Sequence, residues 1–131
     1  ALPILKRAFD LEPRYDEARR IYAVGALYAK DTALAKELLK NVSPADIAND
    51  DRLLSAYINL GDFAKVVDMW KFRVLANPNS EQTHLALAAA YLKAGNRTGA
   101  IEEIKNAISL NPSLKQQGEF YINEIKAGRN P

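Results

Sequence analysis

The feature that most constrains this sequence is a repeat about 34 residues long whose units end in proline. Proline stands at positions 13, 44, 78 and 112, so the successive intervals are 31, 34 and 34 residues. The residues between the last three prolines also match in register, namely Leu53 with Leu87, Tyr57 with Tyr91 and Gly61 with Gly95. A period of roughly 20 to 50 residues is typical of chains that stack one small structural unit on the next.

Each repeat is predicted to consist of two helices. Apolar residues at helical spacing form the first helix, and Gly61 or Gly95 then allows the left-handed conformation that closes it. Asp31, Asp62 and Asn96 follow as predicted N-caps of the second helices. The first repeat lacks about three residues, roughly one helical turn, so its second helix should be short. No segment alternates with a period of two, and we therefore predict an all-α fold.

The repeats divide the chain into consecutive segments of one domain. We predict the second half of a truncated repeat at 1–13, a short divergent repeat at 14–45 and full repeats at 46–79 and 80–113. A capping helix at 114–127 and a tail at 128–131 complete the chain. Ser113 and Gln116 resemble a capping box that would open this last helix, which should end at Lys126.

The half-repeat at the amino end would expose apolar residues, among them Ile4, Leu5 and Phe9, because its helical partner is missing. The chain also begins with Ala1 rather than methionine. We therefore expect more chain before Ala1 in the natural protein. The predicted capping helix, in turn, leads us to expect the end of the array at the carboxyl terminus. The exposed half-repeat could also form an end-to-end dimer.

Composition excludes several functional classes. Lys and Arg number 18 against 16 Asp and Glu, and this net charge of +2 does not indicate nucleic-acid binding. There is no cysteine, so disulfides and thiolate chemistry are excluded. The longest apolar runs are less than half a membrane span, so no direct membrane insertion is expected of this soluble segment. The compartment stays open, either cytoplasmic or, within a larger membrane protein, extracytoplasmic.

The repeat pattern resembles the tetratricopeptide repeat family. The residues that carry the match are Leu87, Ala88, Tyr91, Gly95, Ala100, Ile104, Ala107 and Pro112. The preceding repeat matches less closely, since Leu54, Val66 and Arg73 replace small residues of the family pattern. The resemblance implies a right-handed superhelical solenoid of antiparallel helix pairs, with about three and a half units and the capping helix.

In such arrays the first helices line a concave groove that binds partners. On those helices the residues that face away from the second helices form our candidate site: Arg20, Val24, Leu27, Tyr28, Arg52, Ser55, Asn59, Leu85, Ala89, Leu92 and Lys93. This apolar floor with a cationic edge would suit a protein or peptide segment that is amphipathic or acidic. The terminal-carboxylate clamp of some family members is not matched, because only Arg20 and Arg52 provide suitable cations.

No residue pattern points to catalysis, a cofactor or a metal. The single histidine, His84, has no ligand partner at suitable spacing and is interpreted as a packing or surface residue. Asp46, Asp50 and Asp51 lack the glycine-bearing loop of a calcium site and are read as acidic residues at a helix start. The leading prediction is therefore a non-catalytic protein-protein interaction module.

Two alternatives remain open. Residues 15–22 and 118–121, with the tail 128–131, are similar to soluble tails of bacterial O-antigen ligase or polymerase-like membrane proteins. That resemblance would make this chain an accessory domain of a larger membrane protein. An RNA-reading helical repeat is the other alternative, although Ile21, Arg52 and Ala86 occupy equivalent positions and do not form a regular polar code.

Overall fold

The structure, a computed structural model, describes residues 15–131. This part of the chain is entirely helical, with eight α-helices and no strand, so the predicted all-α class is confirmed for these residues. The half-repeat predicted at 1–13, with Ile4, Leu5 and Phe9, lies outside them. The helices are α1 (Asp16–Tyr28), α2 (Thr32–Leu39), α3 (Pro44–Ala48), α4 (Asp51–Leu60), α5 (Phe63–Ala76), α6 (Glu81–Lys93), α7 (Arg97–Leu110) and α8 (Lys115–Lys126).

Several first helices end in the same left-handed turn. Gly61 and Gly95 adopt φ values of 82° and 85°, as predicted, and the amide after each glycine donates to the carbonyl oxygen of Tyr57 or Tyr91 at 3.1 and 2.8 Å. The end of α1 repeats this turn, but Lys30 takes the left-handed position with φ of 62°. A side chain with a Cβ is disfavoured there, so Lys30 holds a strained backbone conformation.

Two of the predicted caps are confirmed and one capping box is wrong. The carboxylate of Asp31 accepts the Leu34 amide at 3.1 Å, and the side chain of Asn96 accepts the Gly99 amide at 2.9 Å. Before α8, however, Asn111 accepts the amide of Ser113 at 3.2 Å. This contact opens a 3₁₀ turn over Pro112–Leu114, and α8 begins only at Lys115 without a side-chain cap. Asn111 therefore caps the 3₁₀ turn, and Ser113 does not cap α8.

The helices differ in length along the chain. The second helix of the first repeat, α2, has 8 residues against 14 in α5 and in α7, which confirms the expected shortening. Near the start of the predicted repeat 46–79, two short helices, α3 and α4, stand where one first helix was expected. Ser43 caps α3 and Asp50 caps α4, so each segment starts with its own side-chain acceptor. A carboxylate that binds backbone amides competes with helix continuation, which explains the break.

The chain divides into two compact units, one ending at Asp62 and the other beginning at Phe63. In the first unit, α1 packs against both α2 and α4. Its core is apolar and includes Ala23, Leu27, Leu53 and Tyr57, all buried. Burial of these side chains is the main favourable term for the unit, because apolar area removed from water stabilises the fold by about 25 cal/mol per Å².

In the second unit α6 packs against α5 and α7, and α8 packs against α7. One buried cluster joins α6, α7 and α8 and consists of Ala88, Ala100, Ile104, Ile122 and Ile125, with Tyr91 and Leu92 packed against it. The helices approach closely at Gly118, where an added Cβ would lie 2.6 Å from Cδ1 of Ile108. Trp70 on α5 is only half-buried, and the Arg73 guanidinium lies 4.7 Å from its ring centroid.

The last turn of α8 is held by an arginine from the start of α7. The Arg97 guanidinium donates to the carbonyl oxygens of Ile125, Arg129 and Gly128 at 2.9, 3.0 and 3.2 Å, and to Oδ1 of Asn130 at 2.9 Å. A cation here satisfies carbonyl groups that a helix end leaves unpaired. Among the helices of residues 15–131, none combines the length and hydropathy needed to cross a membrane.

Candidate functional site

The first candidate surface is an apolar stripe along α1. Ile21 and Tyr28 are 49% and 50% exposed although both are large and apolar in character. They are seven residues apart, so they lie on the same side of the helix. Gly25 lies between them, and nothing would come within 4 Å of a Cβ placed there. α1 therefore presents an open apolar stripe, with the predicted residue Tyr28 at one end and the half-buried Val24 along its border.

A polar stripe lies along α4, the helix that packs against α1. The predicted residues Arg52, Ser55 and Asn59 are exposed and lie at positions i, i+3 and i+7 of the helix. Arg52 Nη2 lies 3.8 Å from Oε1 of Glu17 at the start of α1, and both side chains are exposed. Because α1 and α4 pack together, we treat the two stripes as one surface and call it the α1–α4 face.

The carboxylate of Asp50 ties the two predicted arginines together. Arg20 Nε donates to Oδ2 at 2.9 Å, and Arg52 donates to the same oxygen through Nη2 at 3.2 Å. The backbone amides of Arg52 and Leu53 donate to Oδ1 at 2.9 and 3.2 Å, which caps α4. Only 4% of the Asp50 side chain is exposed. Asp50 therefore links α1 to the start of α4, and no motif in the sequence distinguished it from Asp46 and Asp51.

These contacts change the electrostatics of the α1–α4 face. Burial acts to raise the pKa of Asp50, but the hydrogen bonds from Arg52, Arg20 and the Leu53 amide outweigh it and lower the pKa below 3.8. The same carboxylate raises the pKa of Arg52. Arg20 also lies 4.0 Å from Asp46. Glu17, Asp46 and Asp50 thus face the two arginines, so the arginines are matched by carboxylates and do not form the cationic edge that the sequence predicted.

The remaining predicted residues fall in three environments. Leu85, Ala89 and Lys93 are exposed on one stripe of α6 in the second unit. Leu92 is half-buried and packs against the cluster that joins α6, α7 and α8. Leu27 is only 2% exposed and belongs to the core of the first unit, so its placement on the binding surface is wrong. Helical spacing alone did not resolve which side of α1 meets both α2 and α4.

His84 forms a buried polar contact that sequence spacing did not reveal. Its Nδ1 lies 2.5 Å from Oε2 of Glu103 on α7, and its Nε2 lies 2.8 Å from the carbonyl oxygen of Pro78. A carboxylate and a carbonyl are both acceptors, so this geometry calls for a proton on each ring nitrogen. Burial acts to lower the pKa of His84, but these two hydrogen bonds raise it above 6.5 overall.

The His84 contact joins α6 to α7 and to the segment before α6. Its partner Glu103 lies 19 positions away in the sequence, a separation set by the packing of two helices. Of the two interpretations offered for His84, a packing residue or a surface residue, the structure supports the first, since the side chain is buried. Within residues 15–131, no group of three or more His, Asp or Glu side chains is placed to hold a metal ion.

A scan of the sequence against protein-family models finds no match, and a search of curated proteins finds none either.

Proposed function

We propose that this chain is a tetratricopeptide-type helical repeat that acts as a non-catalytic protein-protein interaction module. The repeat spacing of the prolines supports this proposal, as does the left-handed turn that recurs after α1, α4 and α6. Repeated helix pairs provide a pre-formed surface, so a partner segment binds without a large cost of reordering the scaffold.

The observation that carries the proposal is the exposed apolar stripe of the α1–α4 face. Tyr28 and Ile21 each leave about half of their surface in water, and Arg52, Ser55 and Asn59 are exposed on α4, which packs against α1. Aromatic residues in the apolar part of an interface supply much of its binding energy. The partner is a segment that places apolar side chains against α1 and hydrogen-bonding groups against Ser55 and Asn59. Because Arg20 and Arg52 are matched by carboxylates, this partner needs no acidic character.

The test compares the proteins that the wild type and matched variants retain. Immobilised protein of wild-type sequence, of the double variant Ile21→Asp/Tyr28→Asp and of Leu75→Asp is exposed to extract from the source cell. Leu75 is the control because it is 81% exposed and lies on α5 in the second unit. The expected partner is retained by the wild type and by the control and is lost by the double variant.

That partner is then purified and its affinity for each variant is measured by calorimetry. Loss of an aromatic and an aliphatic anchor should weaken binding at least tenfold, which corresponds to about 1.4 kcal/mol. Circular dichroism must show unchanged helicity, since both positions are exposed. Equal affinity of the wild type and the double variant would remove the α1–α4 face from the proposal.

A further inference from the structure

A cleft between α7 and α8 in the second unit has an apolar floor and a cationic rim. It is open to solvent, with a volume of about 350 Å³. The side chains of Ile108 and Ile122 form its floor, and Lys105, Lys115 and Lys126 surround it together with one acidic side chain, Glu119. All four charged residues are exposed, whereas Ile122 is buried.

The placement of the lysines follows from helix geometry. Lys115, Glu119, Ile122 and Lys126 lie at positions i, i+4, i+7 and i+11 of α8 and therefore share one side of the helix. With a rise of about 1.5 Å per residue, the backbone positions of Lys115 and Lys126 are about 16 Å apart. Lys105 adds a third positive charge from the facing side of the cleft.

The lysines are not neutralised by neighbouring carboxylates in the part of the chain that the structure describes. Within residues 15–131, no hydrogen bond or ion pair engages the side chains of Lys105, Lys115, Lys126 and Glu119. Glu124 of α8 is bound by Arg129, whose Nε donates to its Oε2 at 2.7 Å. The cleft therefore carries three positive charges and one negative charge, a net excess of two.

We propose that this cleft binds an acidic amphipathic segment of a partner protein. The apolar floor accepts one or two apolar side chains, and the lysines pair with carboxylates on either side of them. Acidic groups about three helical turns apart on the partner would match the separation of Lys115 and Lys126. The cleft is open to solvent, whereas small-molecule sites enclose most of their ligand, so a segment of protein is the occupant that fits.

This cleft is a different surface from the α1–α4 face. Its lysines complement the acidic kind of partner that the sequence analysis expected. The cleft uses unpaired lysines, whereas the arginines of the first unit are already engaged. The two proposals therefore fail or succeed separately. Variants of Ile21 and Tyr28 should leave binding at the α7–α8 cleft unchanged.

The test is a titration followed by nuclear magnetic resonance with a synthetic probe. The probe is a capped helical peptide of about 14 residues with leucines on one side and glutamates about 11 positions apart beside them. A control peptide carries lysine in place of each glutamate. Amide signals of residues 105–126 should shift and saturate with the acidic peptide, and the control peptide should leave them in place.

A charge reversal and a matched control localise the binding. Lys115→Glu should weaken binding of the acidic peptide at least fivefold, because it replaces an attraction with a repulsion in the cleft. Lys71→Glu makes the same change of net charge on α5, outside the cleft, and should weaken binding less than twofold. Lys115 is exposed at the start of α8, where a carboxylate is favoured by the helix dipole, so the variant should fold.

Three results would overturn the proposal. Equal binding of the acidic peptide to the wild type and to Lys115→Glu would show that the cleft lysines are not used. Shifts centred outside residues 105–126 would place the peptide elsewhere. Binding to vesicles that contain phosphatidylserine, without binding to the peptide, would assign the lysines to a lipid surface instead of a protein segment.

Discussion

Two glycines in helices predict opposite effects of the same substitution. Gly25 in α1 has open space where a Cβ would stand, so Gly25→Ala gains helix propensity without a clash. We expect it to stabilise the protein by about 0.5–1 kcal/mol. Gly118→Ala in α8 gains the same helix propensity, but the added Cβ would lie 2.6 Å from Cδ1 and 2.9 Å from Cγ1 of Ile108. Either Ile108 or the whole of α8 must then move.

Overpacking of this kind costs about 1–3 kcal/mol, which exceeds the gain in propensity. Gly118→Ala should therefore lower the free energy of unfolding by about 1 kcal/mol net, and the two variants should shift the midpoint of thermal unfolding in opposite directions by roughly 2–6 °C each. Chemical and thermal unfolding followed by circular dichroism measures both. Both variants add one methyl group to a helical glycine of the wild type, so each is the control for the other.

A double-mutant cycle identifies the cause of the loss. Ile108→Val removes the Cδ1 atom that the added Cβ would meet, and alone it should cost about 0.5–1.5 kcal/mol. In the Gly118→Ala background the same change should cost at least about 0.5 kcal/mol less, because it relieves the clash. If Gly118→Ala stabilises the protein as much as Gly25→Ala does, the close approach of α7 and α8 is not a determinant of stability and the reasoning fails.

Four other predictions concern polar groups and backbone strain. Asp50→Ala should cost about 2–4 kcal/mol in chemical unfolding, since it uncaps α4 and removes the hydrogen-bonded carboxylate partner of the partly buried Arg20 guanidinium, leaving it Asp46 at 4.0 Å. Asp31→Ala at an exposed cap should cost about 1 kcal/mol. The stabilising contribution of His84 should be complete below about pH 6.5 and decline as pH rises through its raised pKa, a dependence that unfolding across pH should show and His84→Gln should abolish. Arg97→Lys should accelerate hydrogen exchange at 125–130, because lysine cannot reproduce the planar set of donors to those groups. Lys30→Gly should stabilise the protein by about 1 kcal/mol in thermal unfolding, since glycine adopts the left-handed conformation without strain.

The helix caps and left-handed turns could be predicted from the sequence because they depend on near neighbours along the chain. Gly61 and Gly95 were predicted to be left-handed, and Asp31 and Asn96 were predicted to be caps, because each feature involves contacts over only a few residues. The short α2 followed from a count of residues in one repeat. The wrong capping box at Ser113 shows the limit of such reasoning, since a nearby Asn111 competed for the same amide.

What periodicity could not determine was which polar groups meet across helices. Asp50 accepts a hydrogen bond from Arg20, 30 positions away, and His84 contacts Glu103 across 19 positions. Neither contact can be predicted from neighbouring residues in the sequence. The sequence alone determined that the described chain is helical and where most of its helices end, because hydrogen bonds and apolar spacing within one helix decide both. The tertiary structure alone decided which cations stay unpaired, because an ion pair between two helices forms only when those helices pack together.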